Sequence, residues 1–188
     1  MTDTKTVLLV MDYQPGIVER LGRPEVLEAA GRAVAAARAA GIPVFFVRVA
    51  FRPGYPEVAA SNLSFGQAAQ HAGDTMTEAH AATQVHAALE PRPDEPVVTK
   101  RRVSAFTGSD LEVLLRGAGA DGIVLAGIST SGVVLSTLRQ AADLDYRLTV
   151  LADACSDGDP EVHRVLVEKV FPRQAVVTTT DDWIDTLG

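Results

Sequence analysis

Cysteine is nearly missing from this chain: 188 residues carry one, Cys155. A lone thiol can build neither an intrachain disulfide nor a cysteine-based metal cage, and it fits a reducing, cytoplasmic setting. Long apolar runs are missing too, since none approaches the roughly 20 residues that a membrane-crossing helix requires. The opening MTDTKTVLLVMDYQ has an apolar run only from Val7 to Met11, lacks a small-residue cleavage site, and reads as a first strand rather than a signal peptide. Basic charge is scarce. With a net charge of -7, and only the small Arg101–Arg102 patch, the chain lacks the surface that a sequence-independent grip on nucleic acid needs. No solenoid-type repeat and no low-complexity tract is present. These absences exclude membrane and nucleic-acid partners and leave a small molecule as the expected one.

What is present is an alternation of short apolar runs with longer helical patterns, the mark of parallel βαβ construction. The runs are TVLLVM (6–11), PVFFVR (43–48), PVVT (96–99), GIVLAG (122–127), LTVLAD (148–153) and QAVVTT (174–179). They are apolar almost throughout, without polar alternation, so helices are expected on both faces of the sheet. The expected fold is one domain over residues 1–188: a three-layer α/β/α sandwich around a six-stranded, parallel, doubly wound sheet.

Helix ends are marked as well. Pro24 opens an alanine-rich helix that stops at Gly41, Asp159 and Pro160 cap and open another, and Ser109 with Glu112 has the spacing of a capping box. Residues 52–92 are long for a connection and less regular, and are read as an insertion with one or two short helices lying over the ligand site. PRPDE (91–95) is a surface turn.

In a parallel sheet the ligand crevice lies at the carboxyl ends of the strands. Three segments end there in polar residues: Asp12, Tyr13 and Gln14 after the first strand, Lys100, Arg101 and Arg102 after the third, and Ser129, Thr130, Ser131, Gly132 and Val133 after the fourth. A carboxylate and an ammonium in one cleft tune each other's pKa, which poises an acid or base for work. Read singly, Asp12, Thr130 and Ser131 are helix caps and Lys100 a solvated charge. Phe45, Phe46, Phe51, Tyr55, Phe65 and Phe106 divide between a pocket wall and the core. His71, His80, His86 and His163 fall in helical or insertion sequence, with His80 and His86 badly spaced for one helical face.

Taken together, VLLVMDYQ, VVTKRRVSAFTGSDL and GISTSGVVLSTLRQAADLDYRLTVLADAC resemble the isochorismatase-like hydrolases, also called cysteine hydrolases, over about residues 6–178. The resemblance implies a hydrolase with catalytic Asp12 and Lys100. It implies a cis peptide before Ser129, an oxyanion hole from the N–H groups of Ser129 and Val133, and substrate contacts from Gln14, Arg102, Phe106, Thr130, Ser131 and Gly132. Zinc-holding relatives of the nicotinamidase type use histidine after the second strand, where VRVAFRPGYPEV has none, so neither metal nor cofactor is expected. Homodimers or homotetramers are.

Most members carry their nucleophilic cysteine where this sequence has Val133, and a valine attacks nothing. True isochorismatases also lack that cysteine and cleave a vinyl ether with Asp and Lys alone. The expected activity is therefore hydrolysis of a small anionic molecule with Asp12 as general acid or base, favouring vinyl-ether over amide chemistry. Two alternatives stand beside it: a catalytically silent small-molecule binder, and an amidase with a displaced nucleophile, for which Cys155 is the one sulfur available as a thiol.

Overall fold

The computed structural model describes residues 5–21 and 23–188. Residues 1–4, the start of the segment read as leading into the first strand, lie outside the described residues. Six parallel strands form one sheet in the order β3-β2-β1-β4-β5-β6. They are β1 Thr6–Met11, β2 Val44–Val49, β3 Val97–Lys100, β4 Gly122–Ile128, β5 Arg147–Ser156 and β6 Val176–Thr178. Chain order turns back on itself between β1 and β4, and Asp12 and Ser129 leave those strands at this switch point, the place where doubly wound sheets bind ligands.

Strand alternation sends side chains to two separate cores. Leu8 and Val10 meet α2 (Pro24–Ala39) and Trp183 of α7 (Thr180–Asp185) on one face, while Leu9 and Met11 meet Leu115 of α4 (Leu111–Gly117) and Leu138 of α5 (Leu135–Asp143) on the other. Both faces being covered is why these strands lack polar alternation. Residues Ala29, Ala30, Ala33 and Ala37 of α2 are buried, and side chains this small let the helix lie close on the sheet.

Gly127 of β4 lies tight against β1 and the turn that follows β4. A Cβ added there would stand 3.1 Å from Met11 Cβ, the Met11 carbonyl oxygen and Val134 Cγ2. Gly127→Ala is expected to lower stability by about 1–3 kcal/mol through overpacking. Chemical denaturation measures this, and an unchanged midpoint would mean that this region yields.

The α6 cap forms as expected: Asp159 Oδ1 accepts from Glu161 N at 2.8 Å, and Pro160 opens the helix Pro160–Val165. The capping box does not. Ser109 Oγ accepts from Leu111 N at 3.3 Å while donating to the Ala105 carbonyl at 2.5 Å, and Glu112 pairs with Arg116 one turn on. An i,i+4 guanidinium outcompetes a distant backbone amide for that carboxylate. Residues 52–92 contain one α-helix, α3 (Phe65–His71), and two 3₁₀ turns, Ala81–Thr83 and Ala87–Leu89. Phe51 packs against Tyr55 and Phe65 at centroid distances of 5.7 and 5.3 Å, so three of the aromatics anchor this segment, while Phe45, Phe46 and Phe106 are buried in the two cores.

Candidate functional site

Asp12 follows β1 in the left-handed region, at φ 60°. Aspartate tolerates this conformation better than most residues, at a cost of about 1 kcal/mol, and the turn breaks the strand's alternation at the sheet edge. Lys100 ends β3, in register with Val49 of β2. Its ammonium reaches Asp12 Oδ2 at 3.0 Å and donates to the Arg102 carbonyl at 3.0 Å. Asp12 and Lys100 are only 5% and 2% exposed, so the pair is sealed inside the protein.

Sealing decides the electrostatics. Burial raises the Asp12 carboxyl above the ordinary carboxylate value, and it outweighs the charge and hydrogen bond of Lys100, which pull the other way. Asp12 Oδ1 is buried without a hydrogen-bond partner among the described residues. An oxygen in that condition gains from carrying a proton or meeting a donor.

The segment after β4 is the third part. The Ile128–Ser129 peptide is cis. Ser129 caps a single π-helical turn, Thr130–Val134, with its hydroxyl accepting from Gly132 N at 3.2 Å. A side chain at Gly132 would meet Ser129 Oγ at 2.7 Å, so glycine is required by the cap itself. Val133 is buried in the same apolar cluster as Met11, Ala105 and Phe106.

Two residues that the sequence does not single out as partners hold this turn. Asp157 Oδ2 accepts from Ser131 N at 2.7 Å, and His163 Nδ1 lies 2.8 Å from Thr130 Oγ1. Both come from the chain just beyond β5, next to β4 in the sheet but about 30 residues away in sequence. The one available signal was LADACSD, with an aspartate just past a strand end. Thr130, expected to touch substrate, is fully buried with its hydroxyl on His163.

The remaining candidates spread out. Gln14 is buried with its amide engaged on backbone: Nε2 donates to the carbonyls of Val49 and Thr83 at 2.9 Å, and Oε1 accepts from Val49 N at 2.8 Å. Arg102 donates to the carbonyls of Arg101 and Glu57 at 2.6 and 2.7 Å. Arg101 forms ion pairs with Glu57 and Glu78, fastening the 52–92 segment to the end of β3. A cavity of about 400 Å³ lies beside this junction, lined by Arg52, Glu57, Arg101, Arg102, Thr107 and Gly108. A second, of about 450 Å³, lies between α1 (Pro15–Leu21) and α3. Neither has Asp12, Lys100 or Val133 in its wall. The acid and the ammonium therefore meet as expected, but in a closed core rather than an open hollow.

Cys155 pairs in register with Gly127, is buried in apolar surroundings, and its thiol is pushed up to about 12 by that burial. Of the histidines, His80 and His86 accept from the backbone amides of Ala82 and Ala88, and His71 Nδ1 contacts the Gln67 carbonyl at 2.8 Å. Among the described residues no group of three or more His, Cys, Asp or Glu side chains is placed to hold a metal ion.

A doubly wound α/β sheet with an Asp–Lys pair at its carboxyl edge defines the class of protein. The isochorismatase domain model matches residues 6–182, and the chain belongs to the isochorismatase family of hydrolases. It is 36% identical over 186 residues to an uncharacterised isochorismatase family protein of Escherichia coli O157:H7, covering 97% of this chain and 96% of that one. It is 34% identical to a probable isochorismatase of Pseudomonas chlororaphis (95% and 84% covered). It is 33% identical to a ureidoacrylate amidohydrolase of Methylobacterium radiotolerans (88% and 72%). Among solved structures, an isochorismatase family protein of Burkholderia thailandensis superposes with a TM-score of 0.86 at 29% identity, over 100% of this chain and 97% of that one. No helix among the described residues is long and apolar enough to cross a membrane.

Proposed function

We propose that this chain hydrolyses the enol-ether bond of a small anionic molecule, with Asp12 as the general acid and no covalent intermediate on the protein. The observation that carries this reading is the buried carboxyl of Asp12, 3.0 Å from Lys100, with burial outweighing the lysine and raising its pKa. Val133 stands where relatives with covalent chemistry carry cysteine, and it adds to the apolar surroundings that favour the acid form of Asp12.

The reaction closes on these groups. Asp12 delivers its proton to the terminal enol carbon, and the electron pair of the C=C bond forms the new C–H bond. The ether oxygen shares the resulting positive charge as an oxocarbenium ion. Water adds to the oxygen-bearing carbon, its proton returns to the Asp12 carboxylate, and the hemiketal collapses to a ketone and an alcohol as its hydroxyl proton passes to the departing oxygen. The Lys100 ammonium offsets the negative charge of the Asp12 carboxylate during the step in which Asp12 is ionised. The N–H groups of Ser129 and Val133 and the guanidinium of Arg102 orient the anionic substrate, with Phe106, Thr130, Ser131 and Gly132 shaping the turn around it. No cofactor takes part, and the enzyme works as a homodimer or homotetramer in the cytoplasm.

The amidohydrolase relative makes amide cleavage the reading to test against. Cys155 is badly suited to it, because a thiol raised to about 12 is almost wholly protonated at neutral pH and is buried in apolar packing. Cys155→Ser is expected to keep at least half of the wild-type kcat/KM, and iodoacetamide to leave the enzyme active. Turnover should be measured on isochorismate and simpler enol ethers beside a panel of ureido and carboxamide substrates. Amide turnover abolished by Cys155→Ser would establish the displaced-nucleophile reading, whereas binding without any product would establish a silent binder.

A further inference from the structure

We propose that the cavity between α1 and α3 is a second small-molecule site, separate from the Asp12–Lys100 pair, and that its ligand is a compact apolar acid carrying one carboxylate. The cavity holds about 450 Å³, within the range of small-ligand pockets and enough for one ring with a substituent. Its walls come from elements distant in sequence: Ile17 from α1, Val49 from the end of β2, Phe65 and Ala68 from α3, and Met76 from the loop beyond. These side chains favour a hydrocarbon body. Among the described residues the exposed Arg20 is the only charged side chain in the lining, with no acidic one opposing it, so the favoured ligand carries a single negative charge at the solvent end.

The walls are fixed before any ligand arrives. Phe65 is held by Phe51, and Asn62 Oδ1 accepts from the Ser64 and Phe65 amides at 3.1 and 2.8 Å at the start of α3. Gly66 lies so close to the Ala60 carbonyl that a Cβ would approach it to 2.9 Å, which seats α3 against the preceding loop. The floor is Gln14, whose amide is spent on Val49 and Thr83 and so presents no unmet hydrogen bond for a ligand to satisfy. A preformed apolar cavity with one cation at its rim binds by shape and a single charge, and loses little in ordering.

The test is binding of 4-fluorobenzoate to the full chain, followed by fluorine NMR and calorimetry. Saturable binding is expected, with Ala68→Trp abolishing it by filling the cavity. Arg20→Gln should weaken it about fivefold, and 4-fluorobenzamide should bind the wild type about fivefold more weakly than the acid. Asp12→Asn should leave the affinity unchanged, which separates this site from the proposed catalytic one whether or not that reading holds. Absence of binding up to about 10 mM, where even a ten-atom ligand in a fitting pocket should register, would overturn the proposal. Binding indifferent to both Ala68→Trp and Arg20→Gln would also do so, as would a self-association interface covering the cavity and disrupted by Ala68→Trp.

Discussion

Asp12→Asn is expected to lower kcat/KM for enol-ether hydrolysis by about 10²- to 10⁴-fold, the range that a positioned general acid contributes. Asparagine nearly matches aspartate in shape, and the αL conformation at φ 60° suits both residue types. The backbone at the end of β1 should therefore persist, and with it the Asp12 N–H to Val47 carbonyl bond of 2.8 Å. What disappears is the exchangeable carboxyl proton. The wild-type rate should fall as pH rises through the raised pKa of Asp12, because the acid form is the active one. Steady-state kinetics from pH 5 to 9, with circular dichroism as the folding control, provide the measurement. A folded Asp12→Asn enzyme with near-wild-type turnover would remove Asp12 from the chemistry.

Lys100→Met carries the largest expected effect on stability. The ammonium is 2% exposed and bound to Asp12 and the Arg102 carbonyl. Removing it strands a buried carboxyl, which costs about 1–3 kcal/mol where that carboxyl is protonated and about 3–5 kcal/mol where it is ionised. The pH dependence follows from linkage. The native pKa of Asp12 is already above its ordinary value of 3.8, so between those two values the native state holds a proton that the unfolded chain has released. Stability contributed by this group is thus complete at acid pH and declines as pH rises through the native pKa. Without Lys100 the native pKa climbs further and the decline extends to higher pH. The variant should lie closest to wild type near pH 5 and farthest from it near pH 8. Urea denaturation at both values tests this, and a gap that is constant or largest at the acid end would contradict it. Activity should fall as well, since the ionised acid loses its counter-charge.

These two residues were legible because each is a charged side chain abutting an apolar run, and strand ends on one edge of a parallel sheet must converge. The same logic placed the turn after β4. It failed for the pair of Ser109 and Glu112: Ser109 still accepts from the Leu111 amide, but Arg116 takes the Glu112 carboxylate. It was silent on Asp157 and His163, whose partners Ser131 and Thr130 are neighbours only because β4 and β5 are paired. Gln14 and Arg102 follow strand ends on this edge, and it took the folded chain to bring the Val49 and Thr83 carbonyls to Gln14 and the Glu57 carbonyl to Arg102.

Local patterning alone determined the six strands, their parallel arrangement and the edge on which chemistry collects, because burial on both faces dictates unbroken apolar runs and connectivity dictates where they end. Only the tertiary structure decided that the acid and the ammonium sit sealed at 3.0 Å, that the sole thiol is packed out of reach, and that the cavities lie beside the pair rather than over it. The physical reason is that solvation is a property of the assembled surroundings. Whether a carboxyl is wet or dry depends on the segments folded over it, and those contacts leave no mark on the residues adjoining it in the chain.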